Sequence, residues 1–241
     1  MANREPATLS YHAGRVLARF CFNVFGRLDI DGLECVPPRG PVILVCNHLS
    51  FTDPPVLVAV LPRPLHFIGK KELFANRFTR AIMRAFHVSS YDRSRAGLDA
   101  IKTVTDHLER DRVVVLFPEG HRSPDHTLQK GMLGVVYLAL KSQATILPVG
   151  VTGTHKISGW RMPMPLCRMT ASIGPPFSLP VLEGTPSREV MTGMLDTIMG
   201  RIAAQLPPEF RGVYALPKNQ APVSEESEAQ LTEAGGPGNT I

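Results

Sequence analysis

Residues Pro41–Pro55 read PVILVCNHLSFTDPP, and this stretch decides the fold. Val42–Cys46 is a run of five apolar residues closed by polar ones, the pattern of a strand buried on both faces. Asn47 and His48 follow at once, and Asp53 comes five residues after the histidine. In open α/β sheets the chemistry gathers just past the C-terminal ends of the strands, where these residues fall. Pro54 disfavours helix at Asp53 and is pre-set for a first helical turn, so Asp53 reads as the N-cap of a short helix, PPVLVAVL. His48 and Asp53 then bracket one tight turn, close enough for a carboxylate to hold an imidazole.

Working outward, apolar strands alternate with helical patterns. Before the central run, Ser10–Leu28 carries Val16, Leu17, Phe20, Cys21, Val24 and Phe25 on one helical stripe, with Arg15, Arg19 and Arg27 off it. Such a helix either docks on a core or lies in a membrane interface. Leu65–Ile68 and Val88–Tyr91 read as short strands, Lys71–Phe86 and Ser94–Arg110 as helices. Val113–Phe117 is a second buried strand, Gly131–Lys141 a helix, Thr145–Val151 a third buried strand and Arg168–Ile173 a late one. Thr185 and Pro186 read as the N-cap and first residue of a last helix running to about Leu206. The expected fold class is α/β: one domain with a largely parallel central sheet flanked by helices. We expect residues 1–28 to form an amphipathic helix, 29–210 the domain, and 211–241 a tail whose Pro, Glu, Ser and Gly content from about Pro217 predicts disorder.

With 241 residues, 44% hydrophobic and 20% charged, the chain can bury an ordinary core. No apolar run approaches the ~18 residues of a membrane-spanning helix. The N-terminus, MANREPATLS, has no signal-peptide core, so a cytoplasmic location is expected. Cys21, Cys35, Cys46 and Cys167 show neither disulfide-like pairing nor zinc spacing, and no metal is expected. The net charge is +5, and the residues from Pro217 on carry −3, which leaves +8 on residues 1–216. A basic body suits an anionic partner such as a membrane surface or a phosphate-bearing substrate. No nucleic-acid motif accompanies it, so nucleic acid is not expected.

Four blocks occur in order: Asn47-His48 with Asp53; Tyr91-Asp92-Arg93; Phe117-Pro118-Glu119-Gly120-His121-Arg122-Ser123; and Ile146-Leu147-Pro148-Val149. Together with Lys70-Lys71 and Lys130-Gly131 they resemble the signature set of the glycerolipid acyltransferases, the 1-acylglycerol-3-phosphate acyltransferase family, over roughly residues 25–210. Two blocks depart from that pattern. His87 stands where the family has glycine, with Ser89-Ser90 after it, and His121 replaces a threonine; both blocks belong to the acceptor site in the family.

The resemblance implies transfer of a fatty acyl group from acyl-CoA or acyl-carrier protein to the hydroxyl of a lysophospholipid, most simply 1-acylglycerol-3-phosphate, to form phosphatidate. No cofactor is implied beyond that co-substrate. An alcohol attacking a thioester must lose its proton, and imidazole titrates near neutral pH, so His48 is the expected base and Asp53 the group that fixes its tautomer. No Gly-x-Ser-x-Gly elbow is present, in keeping with a substrate hydroxyl acting as nucleophile. Arg93 and Arg122 offer forked donors for phosphate and Lys70 and Lys71 point charges, with Asn47, Glu119, Gly120 and Pro148 completing the expected substrate site. The competing readings are another lysolipid or alcohol acceptor, a hydrolase, and an inactive lipid-binding homologue. With no spanning segment, attachment is expected to be peripheral, on the inner face of the cytoplasmic membrane, through the basic N-terminal helix.

Overall fold

A computed structural model describes residues 8–91, 96–158 and 161–215, and for Lys70 and residues 91 and 96–98 the backbone only. In chain order the elements are α1 (Leu9–Val24), β1 (Arg27–Asp31), β2 (Val42–Cys46), α2 (Asp53–Val60), β3 (Leu65–Lys70), α3 (Arg77–Ala85), β4 (Val88–Tyr91), α4 (Ala96–Leu108), β5 (Val113–Leu116), α5 (Gly134–Ser142), β6 (Thr145–Thr152), β7 (Arg168–Ile173) and α6 (Arg188–Ala204).

The seven strands form one sheet in the order β1-β7-β6-β2-β5-β3-β4. β6, β2, β5, β3 and β4 are parallel; β7 runs against β6 and pairs β1 in parallel, so both edge-side strands are reversed. β2 lies in the middle, and all five of its residues are buried. The pleat sends Val42, Leu44 and Cys46 into a core beneath α1 and α2, and Ile43 and Val45 into a second core beneath α4, α5 and α6. This two-sided burial is why β2 reads as an unbroken apolar run instead of an alternating one.

Helix starts differ from the sequence reading at three places. The Lys71–Phe86 pattern splits into a 3-10 turn, Lys71–Phe74, and α3, because the Asn76 side chain accepts from Thr79 N at 2.7 Å and caps a new helix. The last helix starts at Arg188 with Ser187, not Thr185, as its cap. Asp53 is the first residue of α2 instead of its cap, since its carboxylate turns back toward the preceding loop.

α1 docks through Tyr11 and Phe22, each 1% exposed, and Leu65 N donates to the Tyr11 hydroxyl at 2.9 Å. At Gly14 a Cβ would fall 2.8 Å from the Phe86 ring, so glycine permits this close approach. The predicted stripe of Val16, Leu17, Phe20 and Val24 lies on the other side of the helix and is exposed, with Leu9 beside it. Leu166 N donates to Phe25 O at 2.8 Å, which sets the exposed Met164 and Leu166 next to the end of α1. The packed chain continues past residue 210: Leu128 N donates to Phe210 O at 2.8 Å, and the Gly212–Tyr214 turn sits on Leu128 and Gly131.

Candidate active site

The strand β2 ends at Cys46, and the chain must then turn away from the sheet with its polar groups satisfied. Asn47, 1% exposed, does this by pairing with the β6 backbone: its Nδ2 donates to Val151 O at 2.9 Å and its Oδ1 accepts from Val151 N at 2.8 Å. Its amide thus extends the β2–β6 ladder by one side chain. Both ends are used, so Asn47 ties the turn that carries His48 to β6.

His48 comes next. Its Nδ1 lies 2.8 Å from Asp53 Oδ2, which also accepts from Leu49 N at 2.7 Å and Ser50 N at 2.8 Å. The other oxygen, Oδ1, accepts from the Thr154 hydroxyl. Four donors therefore converge on the two oxygens of one fully buried carboxylate. An acceptor-only Asp53 makes Nδ1 the protonated nitrogen of a neutral His48. Nε2 then presents its lone pair, and the His48 side chain keeps 17% exposure. Its ring stacks on Phe117 with centroids 4.0 Å apart.

Glu119 is 2% exposed, with both oxygens committed: Oε1 accepts from His48 N at 2.7 Å and Oε2 from Gln129 N at 2.9 Å. Burial raises its pKa, opposed by those two backbone donors and by nearby His48 and His121. Ser123 N donates to His48 O at 2.8 Å. The block after β5 thus clamps the backbone of His48 on both sides, through Glu119 Oε1 at its N–H and Ser123 N at its carbonyl. Gly120 makes the turn possible: its φ is +72°, and a Cβ there would meet Met132 Sδ at 2.5 Å.

Arg122 is exposed, and its guanidinium lies 3.8 Å above the ring of Phe51, three residues past His48. A cation on an aromatic shelf at the mouth of the histidine turn is well placed for an anion. Pro148 is elsewhere. It pairs with Val45 in the sheet, three residues before the level of His48, and its carbonyl accepts from Gly174 N. A proline is tolerated in this central strand because it sits just beyond the end of the β6–β7 ladder, on the side where its missing N–H would point. Lys71 follows β3 and lines an open groove with α3 and β4. Arg93 lies outside the described residues, as does the Lys70 side chain.

Three contributors escape a sequence reading: Thr154, Phe117 in its stacking role, and Gln129 through its backbone. Thr154 carried a signal, since it stands just past the end of β6, on the same sheet edge as His48. The arrangement can remove a proton from a group presented to His48 Nε2 and hold the resulting imidazolium against a fixed carboxylate.

A family model described as acyltransferase matches residues 27–152. The chain is 28% identical over 193 residues to the 1-acyl-sn-glycerol-3-phosphate acyltransferase of Bacillus subtilis (strain 168), covering 76% of this chain and 94% of that one. It is 32% identical over 158 residues to a chloroplastic 1-acyl-sn-glycerol-3-phosphate acyltransferase of Arabidopsis thaliana, 64% of this chain and 44% of the relative, so it spans under half of that longer protein. The crystal structure of the 1-acyl-sn-glycerophosphate acyltransferase of Thermotoga maritima superposes with a TM-score of 0.62 at 23% identity, covering 86% of this chain and 85% of that one.

Proposed function

This chain belongs to the acyltransferase family of enzymes, and from that premise we propose that it moves a fatty acyl group from a thioester donor, acyl-CoA or acyl-carrier protein, to the free hydroxyl of 1-acylglycerol-3-phosphate. The observation that carries the reading is the His48 Nδ1–Asp53 contact, which leaves Nε2 without a hydrogen-bond partner among the described residues in a side chain that keeps 17% exposure, with Arg122 over Phe51 three residues on. His48 Nε2 takes the hydroxyl proton as the oxygen attacks the thioester carbonyl carbon. The tetrahedral intermediate collapses, the C–S bond breaks, and the imidazolium returns its proton to the thiolate. The products are phosphatidate and the free thiol carrier. Asp53 stabilises the imidazolium between these steps, and Arg122 receives the acceptor phosphate. The relatives named for this acceptor support that choice.

The test is turnover by purified protein given both substrates. His48→Ala is expected to lower kcat by on the order of 10²–10⁴; wild-type turnover in that variant rejects the base assignment. Product that forms without acceptor identifies a hydrolase instead. A different lysolipid acceptor is favoured by one observation: His121, exposed beside Arg122 with Nδ1 3.2 Å from Arg122 O, stands where the family has threonine. A panel of acceptors read by mass spectrometry decides between them.

Attachment is proposed to be peripheral, at the inner face of the cytoplasmic membrane. Among the described residues no helix is long and apolar enough to cross a membrane. The exposed stripe of Leu9, Val16, Phe20 and Val24, continued by Met164 and Leu166, supports insertion into one leaflet. Val16→Asp with Phe20→Asp is expected to abolish flotation with anionic vesicles while leaving Tm within about 2 °C, because neither residue touches the core. Unchanged flotation removes α1 from the membrane contact.

A further inference from the structure

Among the described residues, α3 is the helix that docks most loosely. None of its residues is buried, whereas α1, α2, α5 and α6 each bury two or more and α4 buries Val104 and Leu108. Its sequence, RFTRAIMRA, holds three arginines and no acid; Glu72, in the turn before it, is the nearest acid in sequence. At 3.6 residues per turn, Thr79, Ile82, Met83 and the following Phe86 share the half-buried side. Arg77, Arg80 and Arg84 share the exposed side, with Phe78, 75% exposed, at its border.

α3 lies on the same side of the sheet as α1. Phe86 and Val88, which follow it, pack against the core beneath α1 and α2. The Phe86 ring sits against Gly14 of α1, and Tyr11 meets it at 6.4 Å. Both helices therefore turn their exposed sides away from one shared core. Charge is divided unequally between the two sides of the sheet. α1, α2 and α3 carry five arginines against one acid, the buried Asp53. α4, α5 and α6, on the opposite side, carry four Lys or Arg balanced by four Asp or Glu. His48 stacks on Phe117, which packs against the core beneath α1 and α2, so the base lies on the cationic side.

The two helices offer different things to a partner. α1 presents an apolar ridge from Leu9 to Val24, about 22 Å long at 1.5 Å per residue. Of its two arginines, Arg15 is tied to Pro62 O at 3.4 Å. On α3 the proportion is reversed: one exposed aromatic stands among three arginines. Arg80 is tied to Phe74 O at 3.2 Å. The exposed side chains of Arg77 and Arg84 form no hydrogen bond or ion pair among the described residues. Apolar side chains that can enter the acyl boundary, beside cations that can meet headgroup phosphates, match a leaflet containing anionic lipid. Taking the peripheral attachment as given, we infer that α3 is a second membrane contact. Arg77 and Arg84 bind anionic headgroups and Phe78 enters the interface, so α1 supplies insertion and α3 the preference for anionic lipid.

The test is vesicle binding by the full chain, with phosphatidylcholine alone and with phosphatidylcholine plus phosphatidylglycerol. Wild type is compared with Arg77→Gln/Arg84→Gln, Arg77→Lys/Arg84→Lys, Phe78→Ser and Val16→Asp/Phe20→Asp, each checked by thermal melting. The glutamine pair is expected to lose roughly 10- to 30-fold in affinity for the anionic vesicles, about fivefold per charge, and nothing for the neutral ones. The lysine pair keeps the anionic preference, and added salt brings wild type down toward the glutamine pair. Phe78→Ser weakens binding to both compositions by roughly tenfold. An unchanged anionic preference in the glutamine pair overturns the inference; if that pair unfolds, Arg77→Gln alone, expected to lose about fivefold, carries the same test. A loss that the lysine pair shares also overturns it, since charge is then not what α3 reads. So does a raised acceptor KM in neutral detergent micelles, which gives these arginines to a substrate. If the Val16→Asp/Phe20→Asp pair still binds while the glutamine pair does not, attachment through α1 fails and the α3 contact stands.

Discussion

Two groups of histidines sit at opposite ends of the same sheet, and their surroundings are opposite in kind. At the C-terminal end of β2, His48 faces one carboxylate and one opening. At the N-terminal ends of β3 and β4, imidazoles face each other. His66 stacks on His87 at 4.9 Å and lies tilted by 33° against His107 at 4.5 Å, and Tyr11 of α1 closes the row against His87 at 4.7 Å. Arg112 Nη1 lies 2.9 Å from His107 Nδ1; since arginine only donates, Nδ1 accepts and Nε2–H donates to Ser89 Oγ at 3.1 Å. Burial, with His107, His87 and Arg112 around it, pushes His66 down to about 2. One end pairs an imidazole with a buried carboxylate, and the other packs imidazoles against one another, where burial holds His66 neutral. The presence of a buried carboxylate separates the two roles.

That contrast is broken most severely at the carboxylate. Asp53→Asn keeps the shape but turns an acceptor of four bonds into an amide, and His48 loses the tautomer it needs. A fall in kcat of on the order of 10²–10⁴ is expected from steady-state assays, with little change in acceptor KM. At the other end the readout is stability. A His with a depressed folded pKa contributes stability that is fully present above its unfolded value of 6.5 and is lost as pH falls toward 2. At pH 5 the unfolded chain has taken a proton that folded His66 refuses, a loss of about 2 kcal/mol relative to pH 8. Urea titrations of His66→Phe at the two pH values are expected to show that difference shrink, with no matching change in kcat. The finest adjustment concerns Thr154. Thr154→Val removes one of four donors to Asp53, and a roughly tenfold fall in kcat is expected in steady-state assays. Thr154→Ser should restore it.

Much of this was legible from residues alone, and the reasons are local. β2 is buried on both faces, so its apolar run stands out. The His48–Asp53 turn spans five residues, so their approach needs no knowledge of the rest of the chain. Other features were not legible. α1 is apolar on two sides, and only the fit of Tyr11 and Phe22 against the body shows which side docks; the stripe that periodicity picks out is the one left exposed. Asn76 interrupts an apolar pattern that otherwise continues, so one predicted helix became a turn and a shorter helix. Asn47, Glu119 and Pro148 stand in the blocks the family shares, yet the fold uses the first two to brace His48 and leaves the third in mid-strand.

The order of apolar runs and turn residues by itself determined a parallel α/β sheet with a histidine and an aspartate at the end of its central strand, because burial and turn chemistry act over a few residues. Tertiary structure alone decided which polar groups hold the His48 ring, which hold its backbone, and which face of the first helix meets solvent. Those outcomes depend on hydrogen bonds and packing between residues more than a hundred positions apart, as with Asn47 and Val151 or Asp53 and Thr154, and no local pattern records them.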